Sequence, residues 1–274
     1  MGSFLRALRS ELRLIAGRRR NQVGLLVLMS LPVLIAIATK ESSRHGGDNR
    51  GGPDFFDQIT SNGLFVALAA LGVEIGLFLP MGLALVSGDA IAGEAQAGTL
   101  RYVLTVPVAR VRLLAVKYAA LVLTGLAGTA MVAFTGGVVG SALFGTGSAT
   151  TLSGTRIGVG ETIWRILLAT LYVAAGMAAV AAIGLFLSTV TEQPIAVVVM
   201  VMVVVAGSWI LDAIPQVAWL HPWLLVDRWP AFADLLRDPP QWGTIRTGLG
   251  VDAAYALVFL LAAWARFAGK DVTS

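Results

Sequence analysis

Six apolar segments separated by short polar stretches limit this chain to very few architectures. They cover about residues 22–39, 62–87, 111–144, 161–188, 194–211 and 247–267. A helix needs roughly 20 apolar residues to cross a bilayer, so each segment supplies one crossing. The third segment is too long for one crossing at about 1.5 Å per residue. Its first turns are expected to project from the membrane, with Lys117 reaching to the boundary. The Val-rich run at 197–205 has a strand-like composition, but its length and unbroken apolarity favour a membrane helix. Pro32 and Pro80 fall inside the first two segments, where a bilayer helix tolerates proline. Only 13% of the chain is charged, against about 25% in soluble domains. That leaves no sizeable soluble domain, and with no internal repeat residues 1–274 read as one membrane domain.

Residues 1–20 form an amphipathic arm. Phe4, Leu5, Leu8, Leu12 and Ile15 recur at helical spacing, Arg6, Arg9 and Arg13 lie mainly opposite, and Arg18, Arg19 and Arg20 follow. Such a helix lies along an inner leaflet with its arginines toward anionic headgroups, which makes membrane lipids a partner. The rival reading is a signal peptide cleaved after Ala36-Ile37-Ala38, for which the arm is longer than needed. Six spans put both termini on one side. The side with the arm, the stretch 88–117, the turn 189–193 and the tail holds 12 Lys or Arg against 5 Asp or Glu. The other side holds 8 against 10. The positive-inside rule then places both termini in the cytoplasm of a multi-pass plasma (inner) membrane protein.

The remaining connections are polar. Residues 40–61 and 145–160 read as flexible, Gly-rich loops. Residues 212–244 carry Trp219, Trp223, Trp229 and Trp242 among five prolines, with short apolar pieces at 217–220 and 232–236. These are expected to be half-inserted helices at the outer face, the tryptophans forming an aromatic belt.

Catalytic signatures are missing. Without a Gly-x-x-x-x-Gly-Lys-[Ser/Thr] loop, the chain is not expected to bind or hydrolyse ATP, and no residue is assigned a catalytic role. There are no cysteines, and His45 and His221 stand alone, so neither a metal nor a cofactor is expected in this chain. No His-Glu-x-x-His or Gly-x-Ser-x-Gly pattern supports a protease or hydrolase. The net charge of +4 is explained by membrane sidedness, not by nucleic acid. Glu74 lies near the middle of the second span, where a carboxylate is costly unless paired, protonated or facing water. It reads either as part of a translocation path, contacting a cationic or hydrogen-bonding cargo, or as a neutral Glu bonded to a neighbouring helix. Arg165 is its partner if the fourth span sits deep.

The stretch 87–117 lies between the second and third spans. Asp89 suits a helix N-cap, Gly98 can end that helix, Thr99 can start another and Pro107 ends it. This gives two short helices at the membrane surface with Glu94 and Arg101 pointing outward. By composition alone it is an ordinary loop. Its order is more specific: Gly93-Glu94, Gly98-Thr99-Leu100-Arg101, Leu104-Thr105, Pro107, Arg110 and Lys117. This order resembles the intracellular loop of ABC type-2 exporter permeases, over about 30 of 274 residues.

The resemblance implies an all-α permease of six transmembrane helices, with an N-terminal amphipathic elbow helix and a cytoplasmic coupling helix between spans 2 and 3. An ATP-binding-cassette ATPase subunit would dock on Asp89, Gly93, Glu94, Gly98, Thr99, Leu100 and Arg101, carrying its own ATP and magnesium. A second permease subunit, identical or not, would complete the path. The Gly-Thr-Leu, Pro and Arg pattern is similar to that of the drug-export branch, which implies a drug, peptide or lipid-like amphiphile as cargo in preference to a polysaccharide. A proton-coupled secondary transporter using Glu74 would call for inverted repeats. A non-transporting scaffold or immunity protein would leave Glu74 and the loop without a role.

Overall fold

A computed structural model describes residues 2–44, 62–96, 98 and 110–268. The arm forms helix α1 (Gly2–Gly17), and α2 (Arg19–Arg44) continues through Pro32 without interruption. Then come α3 (Phe65–Glu74), α4 (Phe78–Ala90) and the short α5 (Ala92–Gln96). Four longer helices follow: α6 (Arg110–Phe144), α7 (Val159–Val190), α8 (Pro194–Asp212) and α9 (Trp242–Ala268). Among the described residues five helices, α2 and α6 to α9, are long and apolar enough to cross a membrane. The pair α3–α4, bent by 58°, makes a sixth candidate if it counts as one span.

That bend corrects the picture of an unbroken second span. Proline has no N–H, and its ring collides with the carbonyl four residues back, which for Pro80 is that of Gly76. The helix gives way there. Ile75 N–H still donates to Leu71 O at 3.0 Å, Leu77 reaches only Glu74 O at 3.3 Å, and Met81 resumes the ladder with Leu77 O at 3.0 Å.

Helix α7 is the core of the bundle, with α4, α6, α8 and α9 packed around it. Helix α3 is buried along most of its length, residues 65–71 being at most 2% exposed. It lies backbone to backbone against α6. A Cβ on Gly140 would fall 2.0 Å from Gly63 O, and one on Gly136 2.7 Å from Ala67 Cα. Gly136 and Gly140 thus form the small-xxx-small pattern that lets membrane helices approach closely. In α8 the buried stripe is Val197, Val201, Val205 and Ser208, while Ile195, Val199, Val203 and Ile210 face outward. Burial every fourth residue is a helix period, so the valine run is helical.

The end of the bundle away from α1 departs from expectation. The segment between α8 and α9 holds three 3-10 turns, Pro215–Val217, His221–Trp223 and Trp229–Leu236, each with a proline at its start. Proline suits a first turn and withholds the N–H that a continuing α-helix would use. Trp229, Phe232, Leu235 and Leu236 are buried against α7 and α9, not presented as a half-inserted helix. Trp229 leaves the expected belt altogether, and Gly176 makes room for it, since a Cβ there would sit 2.9 Å from its Nε1. Trp219, Trp223 and Trp242 stay exposed.

The loop at 145–160 is tied down as well. Strands β1 (Ala149–Thr150) and β2 (Arg156–Ile157) pair antiparallel. Leu152 N–H donates to Leu236 O at 3.0 Å, Thr155 Oγ1 to Asp238 Oδ2 at 2.9 Å, and Asp238 N–H to Ser153 Oγ at 2.9 Å.

Candidate functional site

Helix α4 ends at Ala90, and the chain turns at Ile91 into α5. The first N–H groups of a helix have no partner within it. Here Ser188, near the end of α7, supplies one. Its Oγ accepts from Ile91 N–H at 3.0 Å and Ala92 N–H at 2.9 Å, with all three residues buried. Gly98 follows α5 with φ +66°, the left-handed conformation in which glycine ends helices, and its N–H donates to Ala95 O at 3.0 Å. Thr99, Leu100 and Arg101 lie outside the described residues.

Among the described residues, six charges meet in ion pairs at this corner. Asp89 is ion-paired with both Arg18 and Arg20 at the junction of α1 and α2. Arg20 Nη2 also donates to Leu85 O at 3.2 Å. Asp89 therefore joins the arm to α4 and does not cap a helix. Gly93 keeps space open beside it, because a Cβ there would lie 3.4 Å from Asp89 Oδ1. Lys117 Nζ, on α6, donates to Glu94 Oε1 at 2.7 Å and to Glu11 Oε1, on α1, at 3.2 Å.

The lysine side chain is 2% exposed and that of Glu94 19%. The expectation of an outward-pointing Glu94 and a lysine reaching to the boundary is thus corrected: both turn inward and meet. A buried ammonium needs charge and hydrogen bonds around it, and the two carboxylates supply them. Among the described residues the ion pairs here join three cations and three anions. They pin α1, α4, α5 and α6 together where the stretch 87–117 begins and ends. Glu11 and Ser188 had no signal in the sequence that set them apart.

Glu74 lies apart from this corner, at the end of α3 immediately before the break. It is fully buried, and neither carboxyl oxygen has a hydrogen-bond partner among the described residues. Arg165, its expected partner, is engaged elsewhere. Its Nε donates to Glu161 at 2.8 Å, and its Nη1 to the carbonyls of Leu235 at 3.3 Å and Arg237 at 2.8 Å. It fastens the 3-10 segment to α7. A second acid, Asp252 on α9, is also buried; the charge count had placed it outside the bilayer. Among the described residues no three His, Asp or Glu side chains converge as metal ligands.

The family model for "ABC-2 family transporter protein" matches residues 18–208. The chain belongs to this family. No curated protein sequence matches it closely enough to report. The matched region runs from the arm junction to the last turns of α8. It includes Arg18, Arg20, Asp89, Glu94, Lys117 and Ser188 but not Glu11. An ABC-2 permease is a multi-pass membrane subunit of an ABC transporter and associates with an ABC ATPase subunit.

Proposed function

We propose that this ABC-2 permease forms half of an ATP-driven export path for a drug, peptide or lipid-like amphiphile. A second permease supplies the other half, and the ATPase, holding ATP and magnesium, docks on the stretch 87–117. Both termini and this stretch face the cytoplasm of the plasma (inner) membrane. The observation that carries the reading is the corner around α5. A contact that transmits a rigid-body shift must be held to the spans it moves. Ser188 and the Glu11–Lys117–Glu94 and Arg18–Asp89–Arg20 sets provide that hold, from α1, α6 and α7. Within the corner Gly93, Glu94 and Gly98 shape α5, while Thr99, Leu100 and Arg101 complete the docking surface by resemblance to the family.

Glu74 belongs to the translocation path in this reading. It lies beside the carbonyl end of a broken membrane helix, a combination that suits a cationic or hydrogen-bond-donating group. The test is reconstitution of this chain with an ABC ATPase in liposomes, reading ATP hydrolysis and export together. Gly98→Val forces a β-branched residue into positive φ and should uncouple hydrolysis from transport in an assembled complex. Wild-type coupling in that variant would remove the corner from the mechanism.

A further inference from the structure

Glu74 is closed off from solvent at the end of α3, with no hydrogen-bond partner for either carboxyl oxygen among the described residues. The elements around it offer no counter-charge. Helix α3 packs against α6, α2 and α7. Their charged residues lie at 110–117, at 19–20 and 40–44, and at 161–165, all toward helix ends. In α4 the one charge, Asp89, is paired with Arg18 and Arg20. The tyrosines of α6 and α7, Tyr118 and Tyr172, donate to Ala178 O and Arg228 O. An ionised carboxylate with neither water nor a partner is too costly to keep. Glu74 therefore holds its proton in this conformation.

The break beside it supplies acceptors and room. The carbonyls of Gly72, Val73, Ile75 and Gly76 receive no backbone N–H among the described residues, Leu77 having turned back to Glu74 O. A Cβ on Gly76 would meet only Val73 O within 4 Å, at 3.9 Å, so space is open against that carbonyl. Carbonyl and carboxylate oxygens only accept. An occupant that satisfies them brings N–H donors and, once the carboxyl has given up its proton, one positive charge. A quaternary ammonium has the charge without the donors. A sodium ion has it without the apolar body of an amphiphile.

We propose that Glu74 and the freed carbonyls of the α3–α4 break bind the protonated amine of a cationic amphiphile in exchange for the proton of Glu74. The carboxyl O–H bond breaks, its proton leaves to solvent and the ammonium takes its place. The site is neutral before and after, so no unbalanced charge is buried at either stage. The exchange rests on the reading of Glu74 as part of the export path and names the chemical class of the cargo.

The test uses the purified full chain in lipid nanodiscs, without ATPase. Its two probes share one tail and one charge: dodecylamine and dodecyltrimethylammonium. Infrared difference spectra of wild type against Glu74→Gln should show a protonated-carboxyl band, which dodecylamine removes and the quaternary probe leaves. In weak buffer dodecylamine should release one proton per chain. It should half-saturate at about tenfold lower concentration than the quaternary probe, the margin of one charge-assisted hydrogen bond. Glu74→Gln should abolish the proton release and most of that margin at an unchanged melting temperature. Absence of the carboxyl band, its loss on adding sodium chloride alone, or equal effects of the two probes overturns the proposal. If the variant does not fold, the two probes on the wild-type chain still decide. Export by the reconstituted complex is scored separately. Export that persists without amine binding sinks this proposal alone, and amine binding without any ATP-driven export sinks the exporter reading alone.

Discussion

Lys117 carries its ammonium into the protein, and two carboxylates from different helices meet it there. Removing one member of an ion pair costs about 3–5 kcal/mol when burial is complete and about 0–1 kcal/mol at the surface. Glu94 lies between these limits, so Glu94→Ala should lose about 1–3 kcal/mol, read as a lower melting temperature in detergent. Glu94→Arg sets a second cation against the lysine and should lose more, so coupling defects must be scored per folded complex. Glu74→Gln makes the opposite prediction. An isosteric, neutral side chain should leave insertion and melting temperature near wild type while export falls or cargo preference changes. Unchanged export per folded complex would return Glu74 to a purely structural role. Glu94 and Glu74 were legible because a motif singles out one and the bilayer the other. Glu11 and Ser188 were not: one is a single charge on an amphipathic face, the other a single hydroxyl at the end of a span. Their roles arise only where α1 and α7 cross the corner.

Among the elements, the long helices follow from unbroken apolarity, which leaves the backbone no better way to satisfy its hydrogen bonds in lipid. The break in the second span needed more than that. Pro32 and Pro80 look alike in sequence, yet α2 passes through one while the other parts α3 from α4. Hydropathy does not distinguish the two prolines, so the break could not be read from the apolar pattern. The 3-10 segment was hidden for a similar reason. Its apolar residues suit insertion into lipid as well as burial in protein, and only the fold, with Gly176 clearing space for Trp229, shows which occurs. Two variants test the contacts between elements. Gly140→Leu drives a side chain into the backbone of Gly63 and should cost about 3 kcal/mol or more, seen as loss of monodisperse protein. Ser188→Ala strips the acceptor from two buried N–H groups and should cost about 1–3 kcal/mol, with faster amide exchange at Ile91 and Ala92.

At the scale of the whole molecule, the absence of cysteine makes topology directly measurable, because any introduced thiol is the only one. Single cysteines at Ser43, Ser148 and Asp234 should react with an impermeant reagent from outside, and those at Gln96 and Thr273 only after permeabilisation. Reaction of the Gln96 position from outside would invert the bundle and remove α5 from reach of a cytoplasmic ATPase. The charged corner also bears on how the chain is made. Synthesis runs from the N-terminus, and Glu11 and Glu94 both precede Lys117, as Arg18 and Arg20 precede Asp89. By the time α6 leaves the ribosome, both acids that will receive its lysine have already been translated. The ammonium therefore need not wait, unneutralised, for a segment still to come.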